Sequence, residues 1–415
     1  MGKFNFKNSN IGTTAGSRPE KQNLLWQKLL FTLIIIVIYL AGRMIPVFGV
    51  DVASHMSNGT GSENLLLQSI GGDAYRTSIF ALGISPYMMA SLFVMFYSVI
   101  KNMDKTNKVS PRTTSRLTVA LAFIITIYQA VQRSMEFRFL KGTNDQIIFI
   151  ITSIIELITG AMIILWLAER NKKYGIGGQT ALIFINIIDG IIRTLLRYKT
   201  VQLLIPLLIS AAVVAVTAYM EYTEKRIPLQ RISIHNIHAD KNYLAIKHNP
   251  VGVMPIMFSS ALYMVPVSVI EMLSRIHNDN PDLRWLSANL GLDKLPGIAL
   301  YLASFLFLTI LFSFIMISPR DMSEQFLKSG DGIVGIRAGK ETTGFLRKEV
   351  FKSSLISALI MGICLAVSLG LQLFIKIDSG LAMLPSSFMM LTGIWCNLQQ
   401  EMQAVRNYDS YREFL

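Results

Sequence analysis

The chain is poor in the residues that build reactive centres. Its two cysteines, Cys364 and Cys396, lie inside apolar runs without partner spacing, which excludes a disulfide framework and leaves them as small core residues. The five histidines, His55, His235, His238, His248 and His277, all fall in connecting stretches and lack cysteine or acidic partners at ligand spacing, so no metal is expected. A phosphate-cradling P-loop, an HExxH pair and a GxSxG elbow are all missing. Charged residues make up only 16% of the chain, and among the scarce ionisable groups inside the apolar runs Glu156 and Asp189 stand out, with Arg43 near a run's end. Ion-coupled pumps hold coupling charges near the membrane midplane, and a hydrolase needs a nucleophile and a base at matching depth. Neither set is present, and no enzyme activity and no cofactor is expected.

What is abundant is apolar. Hydrophobic residues are 52% of the 415, the composition of a polytopic membrane protein rather than of two or three soluble domains. A bilayer span needs about 20 predominantly apolar residues. Ten stretches qualify, near 29–47, 78–100, 117–132, 147–168, 180–197, 201–220, 252–273, 298–317, 353–375 and 381–398. Ahead of the first, the polar stretch with Lys3, Lys7, Arg18, Lys21 and Lys28 is not followed by a small-residue cleavage site, so no cleaved signal peptide is expected.

Ten crossings put both termini on one side, and 27 of the 39 lysines and arginines fall on that side, the other side and the span ends holding the remaining 12. The positive-inside bias makes it the cytoplasm. One connection disagrees, with Arg193, Arg197 and Lys199 outside. The net charge of +13 is thus sorted by topology, and anionic lipid headgroups and a cytoplasmic partner are its expected counterparts, not nucleic acid. The two longest inside loops, 221–251 and 318–352, flank the seventh and eighth spans and are long enough to project as hairpins that carry a partner site.

The most informative stretch is 63–100. A short amphipathic piece, Asn64 to Ile70, is cut off by Gly71-Gly72 from the apolar helix expected over 78–100. Irregular backbone at membrane depth is tolerated only where protein buries it or where it lines a cavity, which points to a pore or a transport site. The second span carries Gly83-x-x-Pro86 with Ser91 five residues after the proline, and the seventh repeats it as Gly252-x-x-Pro255 with Ser260. These spans hold equivalent places in consecutive sets of five, and an odd number of crossings inverts the second set, the arrangement of inverted repeats. Ile84 and Met88 flank Pro86 one turn apart. Side chains at that spacing are ordinarily core, yet a narrow apolar ring can also gate a pore by excluding water, and methionine can repack around varied cargo.

Several motifs, in order, resemble the SecY family of protein-conducting channels over nearly the whole chain: SIGGDAYRTSIFALGISPYMMAS at 69–91, GIGGQTALIF at 175–184, KRIPLQ at 225–230, HNPVGVMPIMFSSAL at 248–262, SPRDMSEQFLKSGDGIVGIRAG at 318–339 and NLQQEM at 397–402. The resemblance implies an all-α membrane protein of ten helices in two inverted five-helix halves, 29–200 and 201–400, with cytoplasmic segments 1–28 and 401–415. It also implies a passage that opens sideways between the second–third and seventh–eighth spans. By motif, 64–73 resembles the plug, with Asn64, Leu65, Leu66, Leu67, Ile70, Gly71 and Gly72. The pore ring it implies is Ile84, Met88, Thr180, Phe184, Met257 and Met390. Lys225, Arg226, Arg231, Lys247, Arg337 and Lys340 would form the docking loops for a SecA-like motor ATPase, and small SecE/SecG-like subunits, unfolded secretory polypeptide and membrane lipid are the other implied partners.

The chain departs from the usual family pattern with Ile176-Gly177-Gly178-Gln179 in place of IGNG, with Met, Thr and Phe replacing an isoleucine ring, and with a weakly basic tip, ISIHNIH, between the sixth and seventh spans. These features resemble the accessory branch of certain Gram-positive bacteria, dedicated to serine-rich glycoprotein adhesins in the plasma membrane. The rival reading is a secondary transporter of a small solute built on inverted repeats.

Overall fold

Apolar runs of this length become helices because a bilayer offers no partner for backbone N–H and C=O groups. The computed structural model describes residues 24–51, 77–103, 110–137, 139, 146–231, 243–276, 280–292, 294–375 and 378–411. In the first half are α1 (Leu24–Arg43), α2 (Ser85–Met103), α3 (Pro111–Glu136), α4 (Gln146–Tyr174) and α5 (Gly178–Arg197). The second half holds α6 (Thr200–Tyr222), strands β1 (Glu224–Arg231) and β2 (Tyr243–Lys247), then α7 (Met254–Ile276) and the short α8 (Pro281–Asn289). It continues with α9 (Leu295–Ile317), α10 (Pro319–Ser329), β3 (Asp331–Ile333), α11 (Lys340–Ile375), α12 (Ser379–Ala382) and α13 (Leu384–Tyr411).

Among the described residues, nine helices are long and apolar enough to span a membrane; a tenth apolar helix, Ser85–Val99, is shorter. The ten expected spans are all helical, with shifted edges. The first stops at Arg43 because residues 44–50 turn back, and Pro46 forms an antiparallel bridge with Ser78. The second begins at Ser85, not 78, because 77–84 run as turns. The ninth starts at Lys340, thirteen residues before its apolar run, because Leu346 and Val350 are buried beneath the loops. The tenth is divided at Met383 from the four-residue α12, with Pro385 in the second position of α13.

The bundle has two distinct ends. At the sheet end lie the C-terminus of α6, both edges of the β1–β2 hairpin, the N-terminus of α7 and the connection from α9 to α11. At the far end α1 is tied to the turns before α2, with Val47 N–H donating to Thr77 O at 2.8 Å and Ile79 N–H to Ile45 O at 3.0 Å. α2 packs on α3 and α7, α7 on α9, and α9 on α11, while α13 packs on α1, α5, α6 and α11. Leu30, Leu33, Ile34, Val37 and Ile38 of α1 and Ile147, Ile148, Ile151 and Ile155 of α4 remain exposed. Exposed apolar faces of this extent belong against lipid.

A sheet was not anticipated. β1 pairs antiparallel with β2 through Glu224↔Lys247 to Pro228↔Tyr243, and on its other edge with β3 through Leu229↔Ile333 and Gln230↔Gly332. The two loops, expected as separate hairpins, are therefore zipped into one three-stranded sheet ordered β2-β1-β3. Ile227, Ile246, Ile333 and Leu346 form a small core of their own, flanked by Met322, Phe326 and Phe345.

Candidate functional site

The glycine and proline echo has a structural counterpart. Gly83 (φ 56°) and Gly252 (φ 68°) both take left-handed backbone two residues before a helix begins, and Pro86 and Pro255 each occupy the second helical position. Glycine adopts positive φ without a Cβ clash, and proline is tolerated in a first turn because the missing N–H would have had no helical partner there. The N–H of Met88 then donates to Ile84 O at 3.1 Å and that of Met257 to Val253 O at 3.4 Å. Each methionine stands five residues after its glycine. α2 starts beside the middle of α4, where Gly83, Ile84, Pro86 and Tyr87 lie near Ala161, Met162 and Leu165, and α7 starts at the sheet end, so the two starts are inverted copies on helices that pack against each other.

The irregular stretch before α2 meets the condition for non-helical backbone at membrane depth. Residues 80–86 are all buried, Ala81 N–H donates to Ser78 O at 3.0 Å, and Gly83 N–H to Phe80 O at 2.9 Å. Ile84, Met88, Met257 and Met390 are each 2–3% exposed and belong to one continuous buried apolar cluster. Phe184 packs half-buried against that cluster and stacks on Trp395 at 6.2 Å. Thr180 lies in the first turn of α5, and its hydroxyl donates to Gly177 O. Gly177 caps that helix in left-handed conformation, and a side chain there would collide with Leu398 of α13. The plug residues Asn64, Leu65, Leu66, Leu67, Ile70, Gly71 and Gly72 lie outside the described residues.

Of the basic loop residues, Lys225, Arg226, Arg337 and Lys340 are exposed on the sheet end. Lys225 pairs with Glu349, while Arg226 pairs with Glu224 at 3.0 Å and lies over the Tyr243 ring at 4.7 Å. Lys247 turns inward, donating to Gln400 Oε1 at 2.7 Å. The Arg231 side chain lies outside the described residues.

Sequence reading missed the polar network under the sheet. Asn249 accepts from Ser357 Oγ at 3.0 Å, and Ser353 Oγ donates to Lys247 O at 2.9 Å, which ties the entry of α7 to α11. Tyr222 donates to Gln399 Oε1 at 2.6 Å, and Glu401 Oε2 accepts from Gly177 N–H at 3.0 Å. The stretch 397–402 thus links α13 to both halves. The available signal was its density of amides and acids beside an apolar run.

The three ionisable groups singled out within the spans have structural partners. Asp189 Oδ2 accepts from Arg43 at 2.8 Å and from Arg193 at 3.0 Å. Arg193, counted against the positive-inside bias, is therefore offset by its own helix. Glu156 Oε2 accepts from Phe48 N–H at 3.0 Å and holds the 44–50 turn. Also at the far end, Tyr198 donates to Asp378, and burial together with that carboxylate pushes its phenol up to about 12. It stays protonated and donating at physiological pH. Among the described residues no group of three His, Cys, Asp or Glu side chains could hold a metal ion.

Comparison with known proteins agrees with this geometry. The chain is 29% identical over 402 residues to the accessory Sec system protein translocase subunit SecY2 of Streptococcus agalactiae, covering 94% of this chain and 96% of that one. It is 27% identical to the subunit of the same name from Leuconostoc gelidum, covering 95% and 98%. To the protein translocase subunit SecY of Streptococcus gordonii it is 29% identical, covering 81% and 83%. Its fold matches the solved structure of a protein conducting channel with a TM-score of 0.67 at 17% identity, covering 95% of each chain. Sec61 from a canine ribosome-channel complex matches with a TM-score of 0.61 at 16% identity, covering 95% of each chain. The SecY family model matches residues 78–395, from the turn that precedes α2 to Trp395 on α13, and the chain belongs to the SecY family.

Proposed function

We propose that this Sec translocon channel subunit passes unfolded polypeptides across the bacterial plasma membrane and catalyses no reaction itself. The observation that carries the reading is the packing of the inverted helices α2 and α7, whose equivalent residues Met88 and Met257 are buried in one apolar cluster with Ile84 and Met390. Such a waist excludes water and ions yet makes no directional bonds to whatever is threaded through it. The sideways opening lies between α2–α3 and α7–α9, and a signal sequence that competes for the α2–α7 contact shifts the closed population toward open. Both termini and the sheet end face the cytoplasm, as the distribution of lysine and arginine supports.

Free energy comes from a separate SecA-like ATPase bound at the sheet end, where Arg226, Arg337 and Lys340 are exposed. The names of the SecY2 relatives support assignment to an accessory Sec system; the motif resemblance alone suggests serine-rich glycoprotein adhesins as cargo and small SecE/SecG-like subunits as companions. The partnered state of Asp189 and Glu156 weighs against a solute transporter, because neither is left to bind a coupling ion.

The test is a stalled export substrate that carries a photoreactive residue, with the channel and its motor reconstituted in vesicles. Crosslinks to residues around Met257, dependent on ATP, are expected. Failure to crosslink there, or a small-solute flux driven by an ion gradient without the motor, would overturn the proposal.

A further inference from the structure

α4 carries an exposed stripe that runs its whole length at three- and four-residue steps. Ile148, Ile151, Ile155, Thr159, Ile163 and Trp166 are all exposed along it, and the same line continues into Arg170, Lys173 and Tyr174, exposed where the helix reaches the sheet end. Its apolar part suits an acyl chain. Its terminus is different: the Arg170 guanidinium lies over the Trp166 ring at 5.4 Å, and the Lys173 ammonium lies 5.0 Å from the centre of the Tyr174 ring.

Arg170 stands one turn before Tyr174 and Lys173 beside it, so two cations and a hydroxyl group share the last turn of the helix. Tyr174 is held from behind by Phe31 of α1, edge-on at 5.6 Å. The adjacent acid, Glu169, lies within electrostatic reach of Tyr87 on α2, and neither Arg170 nor Lys173 forms a salt bridge among the described residues. Cations resting on aromatic faces are favourably placed but keep their charge unmatched. At the depth where a helix leaves the bilayer, the matching charge is a phosphodiester.

We propose that Arg170, Lys173 and Tyr174 form a binding site for the phosphate of an anionic phospholipid, whose acyl chain follows the Ile163 and Trp166 stretch of α4. The site lies on the outer face of the first half, and the proposal holds whatever the channel conducts. Aromatic packing fixes the two cations, the hydroxyl supplies a hydrogen bond, and the stripe below excludes a soluble phosphate ester as the preferred occupant, since such an ester leaves the isoleucines uncovered.

The test uses the full chain in nanodiscs of phosphatidylcholine with a minority of phosphatidylglycerol. Native mass spectrometry counts retained phosphatidylglycerol, and bromine on the acyl chains of one lipid or the other reports contact with Trp166 by quenching in a Trp26→Phe, Trp285→Phe, Trp395→Phe background. Preferential retention and preferential quenching by the brominated anionic lipid are expected, each falling roughly fivefold for each of the two cations removed in Arg170→Gln and Lys173→Gln. Arg112→Gln, a cation at the same end on α3, is expected to leave both unchanged. Equal quenching by the two lipids, or retention unaffected by Arg170→Gln with Lys173→Gln, would overturn the proposal. Displacement by millimolar inorganic phosphate would overturn the assignment to lipid and leave a plain phosphate site.

Discussion

Asn249 donates through Nδ2 to Glu221 Oε1 at 2.9 Å, and both residues are about 1% exposed. Glu221 ends α6 and Asn249 precedes α7, so this one bond spans the base of the β1–β2 hairpin and fixes how the sheet is set on the helix that starts at Gly252. A buried polar atom left without its partner costs about 1–3 kcal/mol. Glu221→Leu is therefore expected to destabilise the protein by that amount, while Glu221→Gln, which keeps an acceptor oxygen, is expected to lie close to wild type. Denaturation midpoints in detergent measure both. Equal losses in the two variants would show that the hydrogen bond is not what the position supplies.

The equivalence of Met88 and Met257 carries a prediction about leakage. Both are buried in the same cluster at the inverted helix starts, so replacing both by Gly or Ser removes apolar bulk from the proposed waist and lets water in. Resting ion conductance in planar bilayers is expected to rise severalfold, with Met390→Ser adding to it. The same change at Trp166, on the outer face of α4, is expected to have no effect. Conductance unchanged in the double variant would remove these methionines from the seal.

How far this architecture was legible follows from the range of the forces involved. Hydropathy reports each residue's own preference for lipid, so all ten helices were readable, and Gly83 and Gly252 stood out as a repeated motif, although the helix expected over 78–100 ran through Gly83 and begins only at Ser85. The edges shifted where a distant partner decided them: Ser78 bridges Pro46, and Leu346 is buried under a sheet that forms only when β3 reaches β1. A three-residue strand has no periodicity to read. Asn249 and Glu221 are 28 residues apart, and nothing in either neighbourhood indicates the contact.

The far-end charge cluster predicts an asymmetry. Arg43 is almost fully buried, while Asp189 is 27% exposed and shared with Arg193. Removing one partner of a buried ion pair costs up to about 3–5 kcal/mol. Asp189→Asn leaves two like charges together with their shared carboxylate gone, whereas Arg43→Met leaves Asp189 paired with Arg193 and puts an apolar chain against Tyr39. Thermal stability is expected to fall further in Asp189→Asn than in Arg43→Met, with Arg43→Met/Asp189→Asn recovering part of the loss. The reverse order would assign the cluster a role other than charge compensation.

Arg337 offers the sharpest separation of docking from channel integrity. Its side chain is exposed and forms no salt bridge among the described residues, yet its backbone is fixed, with Thr342 Oγ1 donating to Arg337 O at 2.8 Å and Ser323 Oγ to Gly339 O at 3.0 Å. A rigidly presented cation in the turn that follows β3 suits recognition of an acidic surface, and juxtaposing like charges across an interface costs several kcal/mol. Arg337→Glu is therefore expected to weaken motor binding at least about tenfold and to slow motor-driven export accordingly, while the amount of channel in the membrane and its melting temperature stay at wild-type levels. Ile333→Asp, which places a charge in the small core beneath the same sheet, is expected to lower both export and stability. Export by Arg337→Glu at the wild-type rate, with binding unchanged, would move the motor's site off this loop.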